Sequence, residues 1–202
     1  MAKYTGPSNK LFRNFGVKDL SNRKLTSSMR QTASGQHGAV RKKLSEYALH
    51  LNEKQKIRLT YLVSEKQFAK YYNEAARKKG VTGTILLQLL ESRLDNVLFR
   101  AGFGITRKQS RQIVNHGHVT VNGKKVDIPS YLVKPGDVVA VKETSKTTDE
   151  FKTLAETNAA RPVPKWIEAD ANAMTAKVVA LPEREEIATP VEEHLIVEFY
   201  SK

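Results

Sequence analysis

The chain has 202 residues, no cysteine, a formal net charge of +13 and a pI near 9.8. The lack of cysteine excludes disulfides and thiolate metal sites, no apolar run is long enough to cross a membrane, and the first residues do not resemble a secretion signal. Residues 1–43 contain ten Lys and Arg and one acid, whereas residues 143–202 contain seven basic and twelve acidic residues. This asymmetry predicts a polyanion on one side and a different partner on the other.

The segment 1–43 is a basic N-terminal extension with few apolar residues. Ser, Thr, Gly and Gln dominate from Ser27 to Gly38, which predicts that the extension is ordered by a partner. A short helix is expected around Asn9–Phe15.

Residues 44–91 are expected to form a helical domain. Ser45 can cap the first helix, and Ser64 with Gln67 forms a capping box for the second, which ends near Gly80. Residues 84–90 are apolar nearly all round, which predicts a helix buried on most sides. His50 lies within the first helix and is expected to be structural.

Residues 92–155 form the next unit. A helix beginning near Ser92 is stopped by Gly102, and a second helix runs from Thr106 to about Asn115. An Asn-Gly pair at Asn122 then predicts a hairpin, and a further strand covers residues 138–141.

The C-terminal region is predicted to contain an exposed helix over residues 147–158 and strands at Ala176–Leu181 and His194–Tyr200. We expect residues 175–202 to pack near the helical domain. The predicted fold class is therefore α+β: a mainly helical N-terminal domain with a basic extension, a small helix-helix-β-hairpin module and C-terminal strands.

The helix from Thr106 and the hairpin carry the densest set of hydrogen-bond donors. Arg107 and Arg111 are four residues apart with Lys108 beside them, and His116 and His118 flank the turn at Gly117. Arg gives forked hydrogen bonds to phosphate, Lys supplies a point charge, and His or Asn reaches sugars and base edges. This pattern predicts an RNA-binding surface.

Metal and catalytic alternatives are weaker. His116 and His118 have only Asp127 as a local acid, which makes a poor zinc site. His37 lacks an adjacent acid or nucleophile, and the chain has no Gly-rich phosphate loop, HExxH or GxSxG motif. The acidic cluster at residues 183–193 is expected to face solvent or protein. We therefore expect no catalytic residue, no metal and no cofactor.

Several segments in order resemble a known family. They are Tyr4-Thr5-Gly6-Pro7, Gly35-Gln36-His37-Gly38, Lys43-Leu44-Ser45-Glu46-Tyr47, Leu89-Leu90-Glu91-Ser92-Arg93-Leu94-Asp95-Asn96, Val121-Asn122-Gly123, Pro135-Gly136-Asp137 and Leu195-Ile196-Val197-Glu198-Phe199-Tyr200-Ser201. The whole chain resembles the family of bacterial small-subunit ribosomal protein four, and residues 92–142 resemble the RNA-binding module named after it. Some members carry zinc cysteines near the start. This chain has Asn9 and Phe12 there, so it resembles the zinc-free type. The family usually has Pro before Gly-Gln-His-Gly, where this chain has Ser34.

The resemblance implies a structural constituent of the small ribosomal subunit in the cytoplasm. It implies primary binding of small-subunit ribosomal RNA, nucleation of 5′-domain assembly, and contacts with small-subunit proteins five and three. It also implies a place beside the channel through which messenger RNA enters, and an influence on translational accuracy. Residues 41–43 fall where that family faces the message; the alternative is that they bind ribosomal RNA. No membrane and no homo-oligomer is expected.

The predicted contacts with ribosomal RNA share positive charge or hydrogen-bonding capacity. They are Lys3, Tyr4, Lys10, Arg13, Gln36, His37, Arg41, Lys42, Lys43, Lys54, Lys56, Arg58, Arg93, Arg107, Lys108, Arg111, His116, His118, Asn122, Lys124 and Lys125. The predicted protein-facing residues are Glu192, Glu193 and Tyr200.

Two other functions remain open from sequence. An RNA-modifying or ribosome-associated factor could use the same module, but it needs a separate catalytic domain. A DNA-binding regulator could present two capped helices before a hairpin, but it should dimerise and prefer duplex DNA. Competition between folded RNA and duplex DNA separates the last class from the first two.

Overall fold

The computed structural model describes residues 6, 8–17, 32–40, 43–158, 162–187 and 189–201, which form the predicted α+β structure. The chain divides into two compact units, Met1–Leu86 with Thr189–Lys202 and Leu87–Ala188. None of the helices in these ranges is both long enough and apolar enough to span a membrane.

The helices follow one another along the chain with these bounds: α1 Ser8–Asn14, α2 Glu46–Thr60, α3 Glu65–Arg77, α4 Thr82–Glu91, α5 Leu94–Arg100, α6 Arg107–Asn115, α7 Glu143–Lys146, α8 Asp149–Asn158 and α9 Glu193–Ser201. A short 3-10 helix covers Arg184–Glu186. The strands are β1 Val119–Val121, β2 Lys124–Lys125, β3 Val138–Val141, β4 Ile167–Asp170 and β5 Thr175–Val178.

The first unit is built around α2. The Ser45 hydroxyl accepts a hydrogen bond from the Ala48 N–H at 3.3 Å, which confirms the predicted cap. Ser64 also occupies the N-cap position of α3, but its side chain makes no cap hydrogen bond, so the predicted capping box is wrong. Phe68, Tyr71 and Ala75 form the buried face of α3.

The C-terminal helix α9 packs against α2. The prediction of a strand over His194–Tyr200 is therefore wrong. The segment is rich in β-branched and aromatic residues, which favour strands in isolation. However, Ile196, Phe199 and Tyr200 have the spacing of one helical face: Ile196 is buried, and the Phe199 and Tyr200 rings contact Tyr47 and Tyr72. Tertiary packing therefore decides the conformation.

The second unit contains a five-stranded antiparallel sheet of order β2-β1-β3-β5-β4 within the described residues. One face of the sheet forms a common core with α5, α6 and α8 through residues such as Leu98, Val114, Val139, Phe151 and Ala176. The strand β4 was not predicted, because its single-residue alternation in Ile167–Asp170 is too short to stand out. Since β5 pairs with β3, residues 175–178 belong to this sheet rather than to the helical unit.

The predicted hairpin joins β1 and β2 through Asn122 and Gly123, whose φ angles are 50° and 78°. Positive φ at both positions is what a type I′ turn requires, and Asn-Gly supplies it at low strain. The turn carries Lys124 and Lys125 on an exposed strand, which fixes where their charges lie.

Candidate nucleic-acid interface

A buried network of charges joins α4, α5 and α6 in the second unit. Arg93 is only 1% exposed and donates to both carboxylate oxygens of Asp95, at 3.1 and 2.7 Å. Arg100 donates in the same forked manner to the buried Glu91, at 3.0 and 2.6 Å. Arg93 is therefore an internal cation, and the structure removes it from the predicted RNA contacts.

The predicted pair Arg107 and Arg111 separates in the structure. The Arg111 side chain is 11% exposed, and its guanidinium lies 3.8 Å from the carboxylate of Asp95. Arg107 is half-buried, donates to the Asn96 side-chain oxygen at 3.0 Å and lies 4.2 Å from the centre of the Phe99 ring. The predicted RNA-binding surface therefore does not present Arg111 to solvent, because the side of α6 that carries it packs on α5.

The outward face of α6 carries a different set. Lys108, Gln112 and His116 are spaced four residues apart and are all exposed. Lys125 lies across Gly117, where a methyl group would fall 2.5 Å from its Cε atom, and the positive φ of 72° at Gly117 is what favours glycine at this turn. We call Lys108, His116, Lys124 and Lys125 the helix–hairpin surface, since the Lys125 contact brings the hairpin to the end of α6.

Two other predicted contacts have internal roles beside this surface. The Asn122 side chain donates to Asp137 at 2.8 Å and accepts from the Val138 N–H at 2.9 Å, so it holds the hairpin. His118 is half-buried, its Nδ1 lies 2.9 Å from the Ser145 hydroxyl, and its ring meets Phe151 edge-on. Only the remaining edge of this imidazole is available to a ligand.

In the first unit, Lys54 is an internal cation. It is 5% exposed, donates to Glu65 at 2.6 Å and lies 4.5 Å from the centre of the Phe199 ring. The predicted RNA contact at Lys54 is therefore wrong, because its ammonium is used to hold α9 and α3 together. Lys56 pairs with Glu53, and Arg58 donates to Gln55 at 2.7 Å, so these two are half-buried and partly engaged.

Tyr200 takes part in the same cluster. Its hydroxyl donates to Glu65 at 2.9 Å, and its ring stacks on Tyr72. Burial, followed by the hydrogen bond and charge of Glu65, raises the pKa of Tyr200 above its ordinary value. Burial works to raise the pKa of Glu65 as well, but hydrogen bonds from Lys54 and Tyr200, with the charges of Lys54 and Arg58, lower it overall.

The predicted protein-facing residues therefore divide. Tyr200 is used inside its own unit, and Glu193 is half-buried with its side chain against Gly83. Glu192 is exposed, and its carboxylate lies 3.9 Å from Nε2 of His194.

A basic stripe on α3 is absent from the predicted contacts. Lys66, Lys70, Asn73 and Arg77 are exposed at spacings of four, three and four residues, which places them on one side of the helix. The three cations form no ion pair within the described residues. The stripe spans about 16 Å at the usual helical rise of about 1.5 Å per residue. Helical spacing, which places these residues on one side of α3, was the signal in the sequence that could have added them to the predicted contacts.

The described part of the N-terminal extension is tied to α1. Arg13 donates to the Thr32 carbonyl at 2.9 and 3.1 Å, and Ser34 donates to the Asn14 side chain through its N–H and hydroxyl. Lys10, Gln36, His37 and Lys43 are exposed. The predicted contacts Lys3, Tyr4, Arg41 and Lys42 lie outside the described residues.

Comparison with known proteins identifies this arrangement. Residues 3–91 match the model of the ribosomal protein S4/S9 N-terminal domain, and residues 92–139 match the S4 domain. The chain belongs to the S4 family of ribosomal proteins. It is 54% identical to small ribosomal subunit protein uS4 of Acetivibrio thermocellus and 51% identical to that of Ruminiclostridium cellulolyticum, in each case over the full length of both chains. It is also 54% identical over both full lengths to uS4A of Symbiobacterium thermophilum.

Membership of the S4 family confirms the resemblance drawn from the sequence. The relatives are named as ribosomal proteins and not as enzymes, which agrees with the expectation of a chain without catalytic activity. The helix–hairpin surface lies within the region that matches the S4 domain, whereas β4 and β5 lie beyond it. Among the described residues, no group of three or more His, Asp or Glu is arranged to hold a metal ion.

Proposed function

We propose that the chain is a structural constituent of the small ribosomal subunit and binds its ribosomal RNA without chemistry. The observation that carries this proposal is full-length identity of 54% to a protein named as a small-subunit component. The exposed cations of the helix–hairpin surface support it, because they can neutralise phosphates while the fold holds them in register. On this proposal the protein resides in the cytoplasm with the ribosome.

The RNA contacts that we propose are those whose charged or polar groups reach solvent. In the second unit they are Lys108, His116, Lys124 and Lys125, with Arg107 and His118 at the margin. In the first unit the contacts are the α3 stripe together with Lys10, Gln36, His37, Lys43, Lys56 and Arg58. Lys3, Tyr4, Arg41 and Lys42 stay in the proposal on the family resemblance alone.

We further propose the finer roles that the resemblance implies. The protein would nucleate the 5′ domain of the ribosomal RNA as a primary binder, and it would influence accuracy through contact with small-subunit protein five. Arg41, Lys42 and Lys43 would lie near the entering messenger RNA, together with small-subunit protein three. The exposed carboxylate of Glu192 supports an acidic, protein-facing C-terminal end.

The test is binding of the purified chain to the 5′ domain of small-subunit ribosomal RNA at rising salt, with transfer RNA as competitor. Specific recognition predicts binding that survives both the competitor and about 0.2 M salt, since shape-specific contacts add to the phosphate term. Equal loss of binding to both RNAs would contradict the proposal. Duplex DNA as a second competitor separates RNA recognition from DNA recognition.

A further inference from the structure

Beside the helix–hairpin surface, the second unit has an open cavity of about 190 Å³. Its walls come from one face of α6 and the start of α8. They consist of Gln109, Gln112, Ile113, His116, His118, Glu150 and Phe151. Pockets for drug-sized ligands usually measure roughly 300 to 1,000 Å³, so this cavity suits a single ring system.

The cavity combines an apolar floor with a polar rim. Ile113 and Phe151 are buried, and the Phe151 ring meets His118 edge-on with centroids 5.6 Å apart. The hydrogen bond between His118 Nδ1 and Ser145 at 2.9 Å fixes that imidazole, and the His116 ring lies 6.0 Å from it. The His116 ring is exposed, and an imidazole face of this kind can stack on a flat heterocycle.

The rim favours hydrogen-bond donors of the ligand over phosphate. Glu150 is exposed, and its carboxylate forms no ion pair within the described residues. A carboxylate only accepts hydrogen bonds and repels phosphate, whereas the amides of Gln109 and Gln112 can both donate and accept. Gln109 already accepts from the Ile105 N–H at 2.9 Å, which leaves its NH₂ group as a donor.

From this geometry we propose that the cavity receives an unstacked guanine of the bound RNA. Guanine carries two adjacent donors, N1–H and the N2 amino group, which can both bind one carboxylate, while its O6 accepts from an amide. Adenine, cytosine and uracil each present at most one donor group to a carboxylate on that edge. Lys125, which lies across Gly117 next to His116, supplies the positive charge for the flanking phosphate. This inference rests on the proposed function, since it names a subsite of the same RNA interface.

The matched pair of variants is Glu150→Gln and Asp149→Asn. Both remove one exposed negative charge from the first turn of α8, but Asp149 faces Lys152 at 3.5 Å and does not line the cavity. The general electrostatic gain in RNA affinity should therefore be the same for both. Only Glu150→Gln replaces one of the two carboxylate oxygens that line the cavity with an NH₂ donor, so it abolishes the bidentate acceptance of N1–H and the N2 amino group.

The complex with 5′-domain ribosomal RNA is probed with a dicarbonyl reagent that modifies N1 and N2 of accessible guanines. We expect the wild-type chain to protect at least one guanine from the reagent. In the complex with Glu150→Gln, the reactivity of that guanine should rise about tenfold, which is a typical effect of losing one bidentate base contact. Asp149→Asn should keep the protection. An identical protection pattern in wild type and Glu150→Gln, or Glu150-dependent protection of other bases alone, would overturn the guanine assignment.

A second readout separates this inference from the proposed function. Guanosine 5′-monophosphate is titrated into the free full-length chain, and ribose 5-phosphate serves as the phosphate control. Shifts of the Gln109 and Gln112 side-chain amide NMR signals with the nucleotide alone support the cavity even if ribosomal RNA is not bound. If the RNA binds but no guanine depends on Glu150 and the nucleotide moves no amide signal, the proposed function stands and the guanine subsite falls.

Discussion

The two units use their cations in opposite ways. In the second unit Arg93 and Arg100 turn inward and bind buried carboxylates, and lysines occupy the exposed hairpin. In the first unit a lysine, Lys54, is the internal cation, and the open stripe on α3 contains two lysines and an arginine. Positive charge alone therefore does not identify an RNA contact. Burial and the geometry of the partner carboxylate decide it.

The contrast has a physical cause. A guanidinium can satisfy several buried acceptors with its planar fork, so it tolerates burial in the second unit. The ammonium of Lys54 has no such fork, and it is held by one carboxylate and by the faces of two aromatic rings on α9. The arginine network links the consecutive helices α4, α5 and α6, whereas Lys54 links α2 to α3 and α9.

The largest effect is expected for Arg93→Ala. It leaves the carboxylate of Asp95, which is 4% exposed, without its forked partner, and breaking a buried pair in this way destabilises by about 3 to 5 kcal/mol. Denaturant unfolding of the purified variant measures this loss. Lys124→Ala on the exposed hairpin should stay within about 0.5 kcal/mol of wild type. Equal stabilities of the two variants would break the distinction between inward and outward cations.

A smaller effect, on binding rather than stability, is expected for the α3 stripe. The triple variant replaces Lys66, Lys70 and Arg77 with Ala. The steepness with which log affinity falls with log salt should decrease by about 2, at about 0.7 per phosphate contact. Filter binding to 5′-domain RNA between 0.05 and 0.3 M salt gives the slope (about a sixfold range suffices to resolve it). An unchanged slope with a folded variant would mean that this side of α3 does not meet phosphate.

The smallest effect concerns the docking of α9. Because the pKa of Glu65 is lowered from its ordinary 4.5, its contribution to stability is present above about pH 4.5 and is lost as the pH falls through the folded-state pKa. Thermal unfolding of wild type and Glu65→Gln from pH 7 to pH 3 should show a gap that narrows below about pH 4.5. A gap that stays constant across this range would show that the ionised carboxylate does not hold the helix.

Tyr200 gives the complementary check at high pH. The pKa of Tyr200 is raised above the ordinary 10.0. The protonated hydroxyl of Tyr200 therefore stabilises the folded state below about pH 10, and that contribution is lost as the pH rises further. Tyr200→Phe removes the hydrogen bond to Glu65 and should destabilise by roughly 1 kcal/mol at pH 7. The difference between wild type and variant should decline above pH 10 in the same unfolding experiment.

Local sequence signals predicted much of the fold. Ser45 and Thr106 cap their helices, the latter by accepting from the Gln109 N–H at 3.1 Å, and Asn122 with Gly123 forms the turn. These features depend on neighbours within four residues. The conformation of residues 193–201 depends instead on packing against α2, and propensity for strands misled the prediction there.

The candidate site was less predictable. The inward turn of Arg93 and Arg111 depends on the carboxylate of Asp95, which no pattern in the sequence paired with either arginine. The cavity depends on Glu150 and Phe151 meeting α6, although they follow it by more than thirty residues in sequence. Spacing rules cannot report such long-range contacts, whereas the stripe on α3 could have been identified from helical periodicity alone.

The most direct test of the account is the salt dependence of RNA binding by Lys124→Ala with Lys125→Ala. The matched control removes two exposed lysines near the opposite edge of the same sheet, Lys165→Ala with Lys177→Ala. We predict that the hairpin variant makes the fall of log affinity with log salt less steep, by about 1.4 to 1.8 at about 0.7 to 0.9 per phosphate. The control variant should leave this steepness unchanged. Equal slopes for wild type and the hairpin variant would contradict the claim that the outward lysines of the hairpin bind the RNA.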